Sequence, residues 1–169
     1  MRRVKIRLAK ESIRQAIKAT EQARDQIREQ CDEFCKRTAQ AGQAMVIQNI
    51  EKYGAVDTGT LVNGVDAYKK ENGRWVISVA ADNGQEDNYA YYVEYGTGVK
   101  GKASPHPEAS QVGWNYDINN HGNAGWKYPK RTGGFGITSG MPARPFFYDM
   151  KQELPEVANK IAAEVFQDD

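Results

Sequence analysis

The chain has 169 residues, with 23 basic and 22 acidic side chains and a formal net charge of +1. This balance leaves no long-range field that would draw the chain to nucleic acid or to a membrane surface, and its length predicts one domain over residues 1–169. No apolar stretch approaches the ~20 residues that span a bilayer, and no apolar leader follows the basic start, so we expect a protein that is neither membrane-bound nor secreted.

The first predicted elements are a short strand or arm over residues 1–9 and a helical region over 10–53. Val4, Ile6 and Leu8 alternate with basic residues, which is the period of a half-buried strand. Apolar residues then recur at helical spacing without a proline, which predicts one long helix or two in tandem. In the first half of this helix, single isoleucines are separated by alanine and threonine. We expect that half to rest on another subunit.

Two cysteines lie in the predicted helix, and the chain has no others. Cys31 and Cys35 are about one helical turn apart. A disulfide framework needs more cysteines in better separated pairs. We therefore predict reduced thiols in the core of a cytoplasmic protein.

An antiparallel meander of three strands is predicted over residues 61–96. The first two strands, 61–69 and 75–81, flank Asn72-Gly73, a pair that favours tight hairpin turns because both residues tolerate a positive φ. The third strand, 89–95, is predicted from the alternation of its tyrosines and valine. We expect the long helix to cover one face of this sheet.

A long loop and a last helix complete the predicted fold. Residues 97–141 show no sustained period, and their glycines at 133, 134 and 136 predict a flexible loop tip. Residues 145–166 carry apolar side chains three or four apart, and Pro155 is expected to kink or split this helix. The predicted fold class is α+β: a long N-terminal helix on a small antiparallel sheet, then a long loop and a C-terminal helix.

The sharpest enzymatic hint is the run Asp57-Thr58-Gly59-Thr60 after an apolar residue. It matches the short pattern of aspartic proteases, in which two facing aspartates share a proton and activate a water, so one copy would require a dimer. Turn chemistry explains the same residues, because Asp57 can accept backbone N–H groups in an Asx turn and Gly59 permits a positive φ. We favour the structural interpretation and predict no enzyme, with a dimeric peptidase as the alternative.

A metal site is the second chemistry to weigh. His106 and His121, with Asp117 or Glu108, could supply zinc ligands. Their spacing fits no compact site. We interpret both histidines as surface loop residues and predict no metal and no cofactor.

Tyrosines offer a third possibility, a module that binds single-stranded nucleic acid. Tyr89, Tyr91 and Tyr95 could stack bases on the face of a sheet. Ordinary packing of a β face also explains them and is favoured.

Three segments in a fixed order resemble a family of phage proteins; they read AVDTGTL at 55–61, YAYYVEYGT at 89–97 and PARPFF at 142–147. They are similar to the tail-completion, or head-tail joining, family of long-tailed phages and prophages, also described as minor tail components. The resemblance implies an α+β structural protein of the virion neck or tail, made in the bacterial host cytoplasm, with no catalysis. It implies a ring-like homo-oligomer, contacts with other neck or tail proteins, a passing contact with DNA in the channel, and no membrane.

The same segments supply the residues that we expect to fix the backbone or to lie at interfaces. One group is placed at the turn from helix to sheet, one at the end of the last strand, and one at the entry to the last helix. The predicted residues are Asp57, Gly59, Glu94, Gly96, Thr97, Pro142, Arg144 and Pro145.

One ion pair is predicted between these groups. Pro145 holds Arg144 extended, and its guanidinium is expected to fork onto the carboxylate of Glu94 or Asp57. This pair would tie the last helix to the sheet. A solvent-facing Arg144 is the alternative.

Overall fold

A computed structural model describes residues 9–81, 88–117, 120–130 and 132–167. The strand or arm predicted over residues 1–9 lies outside this range except for Ala9. The helices are α1 (Lys10–Lys52), α2 (Thr60–Asn63), α3 (Ala90–Tyr95), α4 (Gly98–Ala103) and α5 (Phe146–Val165), with a 3-10 turn at Gly122–Ala124. The strands are β1 (Val65–Lys69), β2 (Trp75–Val79), β3 (Trp126–Pro129), β4 (Phe135–Thr138) and β5 (Gly140–Met141).

The two long helices pack against each other in antiparallel directions. Asn49 in α1 donates its side-chain N–H to the carbonyl of Phe146 at the start of α5, at 3.1 Å. At the other end, Gln30 donates to the carbonyl of Val165 at 3.2 Å. The core lies between the C-terminal half of α1, α5, the β1–β2 hairpin and α3. It contains Val46, Ile50, Ala55, Leu61, Val65, Ala81, Ala90, Val93, Phe146 and Met150.

The hairpin predicted around Asn72-Gly73 is confirmed. Strands β1 and β2 pair antiparallel on either side of this turn, with Val65 opposite Val79. The first strand is shorter than predicted, because Thr60–Asn63 form the helical turn α2, which buries Leu61 in the core.

The third strand predicted over 89–95 is wrong, since this segment forms helix α3. Its buried residues are Ala90, Val93 and Glu94. Their spacing follows one face of a helix and not the alternation of a strand. Contacts with the core therefore override the β propensity of the tyrosines, and the meander is reduced to a two-stranded sheet.

The long loop predicted over 97–141 contains regular structure. It holds α4, the antiparallel hairpin β3–β4 and the short strand β5. Gly133 and Gly134 lie in the turn of this hairpin, and Gly133 donates its N–H to the carbonyl of Lys130 at 3.0 Å. Strands of four residues or fewer are too short to show a period in the sequence.

The predicted C-terminal helix is confirmed as α5, and Pro155 does not split it. Proline removes the hydrogen bond that the carbonyl of Lys151 would otherwise accept. Both residues are exposed, so water can satisfy that carbonyl. The position of Pro155 on the outer face of α5 makes it tolerable.

The prediction that the cysteines are core residues is wrong. Cys31 and Cys35 are free thiols, and both are exposed on α1. The first buried residue of this helix is Ala39. Helical spacing alone could not show where along α1 the core begins.

Candidate functional site

Six of the eight predicted site residues meet where α3 and β5 lead into the start of α5. We call this region the junction; it comprises residues 93–98, residues 140–148 and His106. The predicted residues within it are Glu94, Gly96, Thr97, Pro142, Arg144 and Pro145.

Glu94 caps the first turn of α5 from a different helix. Its side chain is buried, and the residue is 7% exposed. Its carboxylate accepts the backbone N–H groups of Phe147 and Tyr148, each at 2.9 Å. Pro145, at the N-cap position, has no side-chain acceptor. Glu94 therefore satisfies helix donors that would otherwise be unpaired, and its negative charge lies at the positive end of the helix dipole.

His106 supplies the third hydrogen bond to this carboxylate. Its Nδ1 accepts the N–H of Glu108 at 3.0 Å, which places the ring proton on Nε2. Nε2 then donates to Glu94 Oε1 at 3.1 Å. The residue is 3% exposed, so the prediction of a surface histidine is wrong for His106 and holds for the exposed His121. Spacing in the sequence carried no signal for this contact.

Burial determines the electrostatics of the junction. It raises the pKa of Glu94 above its ordinary value, because loss of water disfavours the charged form. The hydrogen bonds from Phe147, Tyr148 and His106 act in the opposite direction. A buried acid held by two helix N–H groups is suited to fixing geometry.

The chain crosses itself closely beneath this cap. Thr97 and Gly98 form isolated bridges with Met141 and Gly140. Gly96 has φ 77°, and a Cβ there would lie 2.6 Å from the backbone nitrogen of Ala143. The two chain segments touch through main-chain atoms, which leaves no room for side chains at these glycines.

The predicted fork of Arg144 onto Glu94 is not found among the described residues. The backbone N–H of Arg144 lies 3.0 Å from the carbonyl of Val93 and 3.2 Å from that of Glu94. The carboxylate of Glu94 is occupied by other donors. Helices α3 and α5 are nevertheless linked, because main-chain N–H groups of α5 donate to the carboxylate of Glu94. The alternative pairing with Asp57 stays a prediction.

Asp57 and Gly59 lie apart from the junction, in the turn between α1 and α2. Asp57 is exposed in a bend. The hydroxyl of Thr58 accepts the N–H of Thr60 at 3.2 Å, and Gly59 has φ 82°. The geometry is that of a tight connection into α2, and the Asx turn expected at Asp57 stays a prediction.

The tyrosines do not form a platform on a sheet. Tyr91 and Tyr95 belong to helix α3. The ring of Tyr95 stacks on Trp114 with centroids 4.9 Å apart and lies 4.2 Å from the ring of His106. Tyr95 is thus part of the packing around the junction, which removes the geometric basis for the nucleic-acid alternative.

Within residues 9–81, 88–117, 120–130 and 132–167, no three His, Cys, Asp or Glu side chains are grouped so that they could hold a metal ion. None of the helices in the same ranges is both long and apolar enough to cross a membrane.

Two apolar surfaces have no partner within the described part of the chain. The first, the helix stripe, consists of Ile13, Ile17 and Ile27 on α1, which are 44%, 54% and 57% exposed. The second, the hairpin face, consists of Phe135 and Ile137 on β4, which are 71% and 76% exposed. Exposed apolar surface of this kind marks sites of interaction with other molecules.

The sequence matches one protein family over residues 11–96. The family is described as "Bacteriophage HK97-gp10, putative tail-component". The matched range covers half of the chain, from the first turn of α1 through the β1–β2 hairpin and α3 to Gly96. No curated protein and no solved structure matches the chain.

Proposed function

Because this chain belongs to the HK97-gp10-like family of bacteriophage tail components, we propose that it assembles as an oligomer and joins the head to the tail or completes the tail. The family is one of structural phage proteins, so the chain is a virion component that contacts other phage structural proteins. Synthesis in the host cytoplasm, a ring-like homo-oligomer and a passing contact with DNA are the finer parts of the proposal.

The helix stripe is the observation that carries the assembly proposal. Gln30 contacts the last turn of α5, so residues 10–29 of α1 extend past the end of that helix. These 20 residues make a projection of about 30 Å. Covering each exposed isoleucine would contribute up to roughly 1.5–3 kcal/mol. A neighbouring copy would supply that cover.

The hairpin face supports an assembly built from unlike patches. It lies on β4, whereas the helix stripe lies on α1, so the two apolar surfaces belong to separate elements. When one patch meets a different patch on the next subunit, the contact repeats and closes into a ring or continues as a filament. Two distinct unpartnered patches on one chain are consistent with such head-to-tail contacts.

Replacing Ile17 with lysine tests this role of the stripe. A buried charge at its centre is expected to weaken self-association at least about tenfold. Gln15→Lys is the matched control, because it adds the same charge about 200° around the helix. Light scattering over a concentration series measures both variants. Equal behaviour of the two variants, or a wild type that stays monomeric at every concentration, contradicts the proposal.

If the chain were a dimeric peptidase, peptide cleavage would depend on Asp57. This residue is exposed in a bend of the chain, whereas an aspartic dyad requires two carboxylates close enough to share a proton. We expect neither the wild type nor Asp57→Asn to cleave a mixed peptide library, as read by mass spectrometry. Cleavage by the wild type that Asp57→Asn abolishes would establish the peptidase instead.

A further inference from the structure

Strand β2 has one edge that faces away from β1. Ala80 donates its N–H to the Gly64 carbonyl, and Lys70 donates its N–H to the Arg74 carbonyl. In an antiparallel pair, every second residue bonds to the partner strand, so these two bonds show which residues of β2 do so. The main-chain groups of Val76 and Ser78 therefore point to β1. Those of Trp75, Ile77 and Val79 point to the opposite side.

Among the described residues, this second edge of β2 is open at Trp75 and Ile77. The carbonyl of Val79 accepts the side-chain N–H of Asn88 at 2.6 Å. In the described ranges, the main-chain N–H and C=O groups of Trp75 and Ile77 have no hydrogen-bond partner. Such a row of donors and acceptors is a template for another strand.

Side chains occupy part of the outer edge of β1. Gln43 donates a side-chain N–H to the carbonyl of Val65 at 3.0 Å. The N–H of Ala67 is bonded to the side chain of Asp66 at 2.8 Å. Two outward main-chain groups on β1 are thus bonded to side chains, whereas β2 is the strand that lines an apolar cleft.

An apolar cleft runs along the open edge. It has a volume of about 310 Å³ and lies between β2, α3 and α5. Its apolar lining includes Ile77, Val79, Ala90, Phe146 and Phe147. An added strand would therefore find both main-chain partners and an apolar wall for every second side chain.

Residues 3–8 have the sequence of such a strand. Val4, Ile6 and Leu8 would lie on one face, and the three residues between and before them are all basic. In an extended conformation this segment would therefore have one apolar face and one basic face.

We propose that residues 3–8 of a second copy add to β2 as a third strand, with Val4, Ile6 and Leu8 facing the apolar cleft. This inference rests on the proposed function, because it requires copies of the chain to assemble. It identifies one contact that would hold them together.

Distance excludes the same copy as the source of the strand. Ile6 is three residues from Ala9, so it lies within about 11 Å of the start of α1. Ile77 packs against α1 at Gly42, which is about 50 Å along the helix from Ala9. Only another copy can bring residues 3–8 to this edge.

Cross-linking between two preparations tests the pairing. Cys31→Ser and Cys35→Ser first remove the native thiols. One preparation then carries Lys5→Cys and the other Ser78→Cys, since Lys5 and Ser78 would lie on the same face of the extended sheet, opposite the face of Ile77 that packs on α1. After mixing and mild oxidation, we expect a disulfide-linked species that contains one chain of each kind. Asn72→Cys, at the tip of the β1–β2 hairpin, replaces Ser78→Cys as the control and should give at least about tenfold less product.

Deletion of residues 2–8 provides the second measurement. We expect the concentration for half-assembly to rise at least about tenfold, with unchanged helical content by circular dichroism. Unchanged assembly, or no mixed disulfide, overturns this inference. If Ile17→Lys still weakens assembly in that case, the proposed function stands. A wild type that never associates overturns both.

Discussion

Glu94→Ala is expected to lower the free energy of unfolding by about 3–5 kcal/mol. The substitution removes the acceptor for the N–H groups of Phe147 and Tyr148 and for Nε2 of His106. Buried donors without a partner each cost about 1–3 kcal/mol. The first turn of α5 also loses its cap. Denaturant unfolding followed by circular dichroism measures the difference.

Glu94→Gln is the control that separates the cap from the charge. The amide keeps the size of the side chain and one carbonyl oxygen, so it can still accept from Tyr148 and His106. Its NH₂ group would face the N–H of Phe147, and we expect a loss of about 1–3 kcal/mol for that one donor. If Glu94→Ala changes stability by less than about 1 kcal/mol, the capping role of Glu94 is wrong.

The difference in stability between the wild type and Glu94→Gln is expected to depend on pH. Burial raises the pKa of Glu94 from its ordinary value of 4.5. A carboxyl group whose pKa is raised in the folded state stabilises the fold fully at pH values below its unfolded-state pKa. This stabilisation is lost as the pH rises through its folded-state pKa. Relative to Glu94→Gln, the wild type should therefore lose stability as the pH rises above about 4.5. A difference that grows with pH would show that the pKa is lowered instead.

Gly140→Ala is expected to reduce stability by roughly 3–5 kcal/mol, as the sum of backbone strain and steric overlap. Gly140 has φ 103°, a conformation that residues with a Cβ rarely adopt. A Cβ there would overlap the carbonyl oxygen of Thr97, a main-chain atom that cannot rotate away. Thermal and denaturant unfolding measure the loss.

Gly134→Ala is the matched control for the crossing. Gly134 has φ 75°, and a Cβ at that position would meet no atom within 4 Å. The control therefore carries only the cost of a positive φ, about 1–2 kcal/mol. The excess loss in Gly140→Ala measures the close approach of the two chain segments. Equal losses in the two variants would show that the crossing is looser than described.

The long helices and the first hairpin could be predicted because their periods are long or their turn chemistry is specific. Apolar spacing identified the region 10–53 as helical and 145–166 as the last helix, in agreement with α1 and α5. Asn72-Gly73 identified the first hairpin. These signals are local, so a sequence carries them without knowledge of the fold.

The contacts within the junction could not be predicted from the sequence. Glu94 and Phe147 are 53 residues apart, and Glu94 and His106 are 12 apart, so no local pattern relates the three. From the sequence, Glu94 is expected at the end of a strand with Arg144 as its partner, because a guanidinium binds a carboxylate strongly. The fold instead supplies main-chain donors from the start of a helix.

Local patterns in the sequence are sufficient to predict the α+β class, the two long helices, the hairpin turn and the resemblance to phage tail proteins, which the family match over residues 11–96 supports. The helix at 90–95, the burial of His106 and the exposure of the cysteines follow only from the folded chain. Local periodicity reports how a segment would distribute its apolar side chains. Which neighbour covers them, and which buried polar groups then need partners, depends on contacts between residues far apart in the chain.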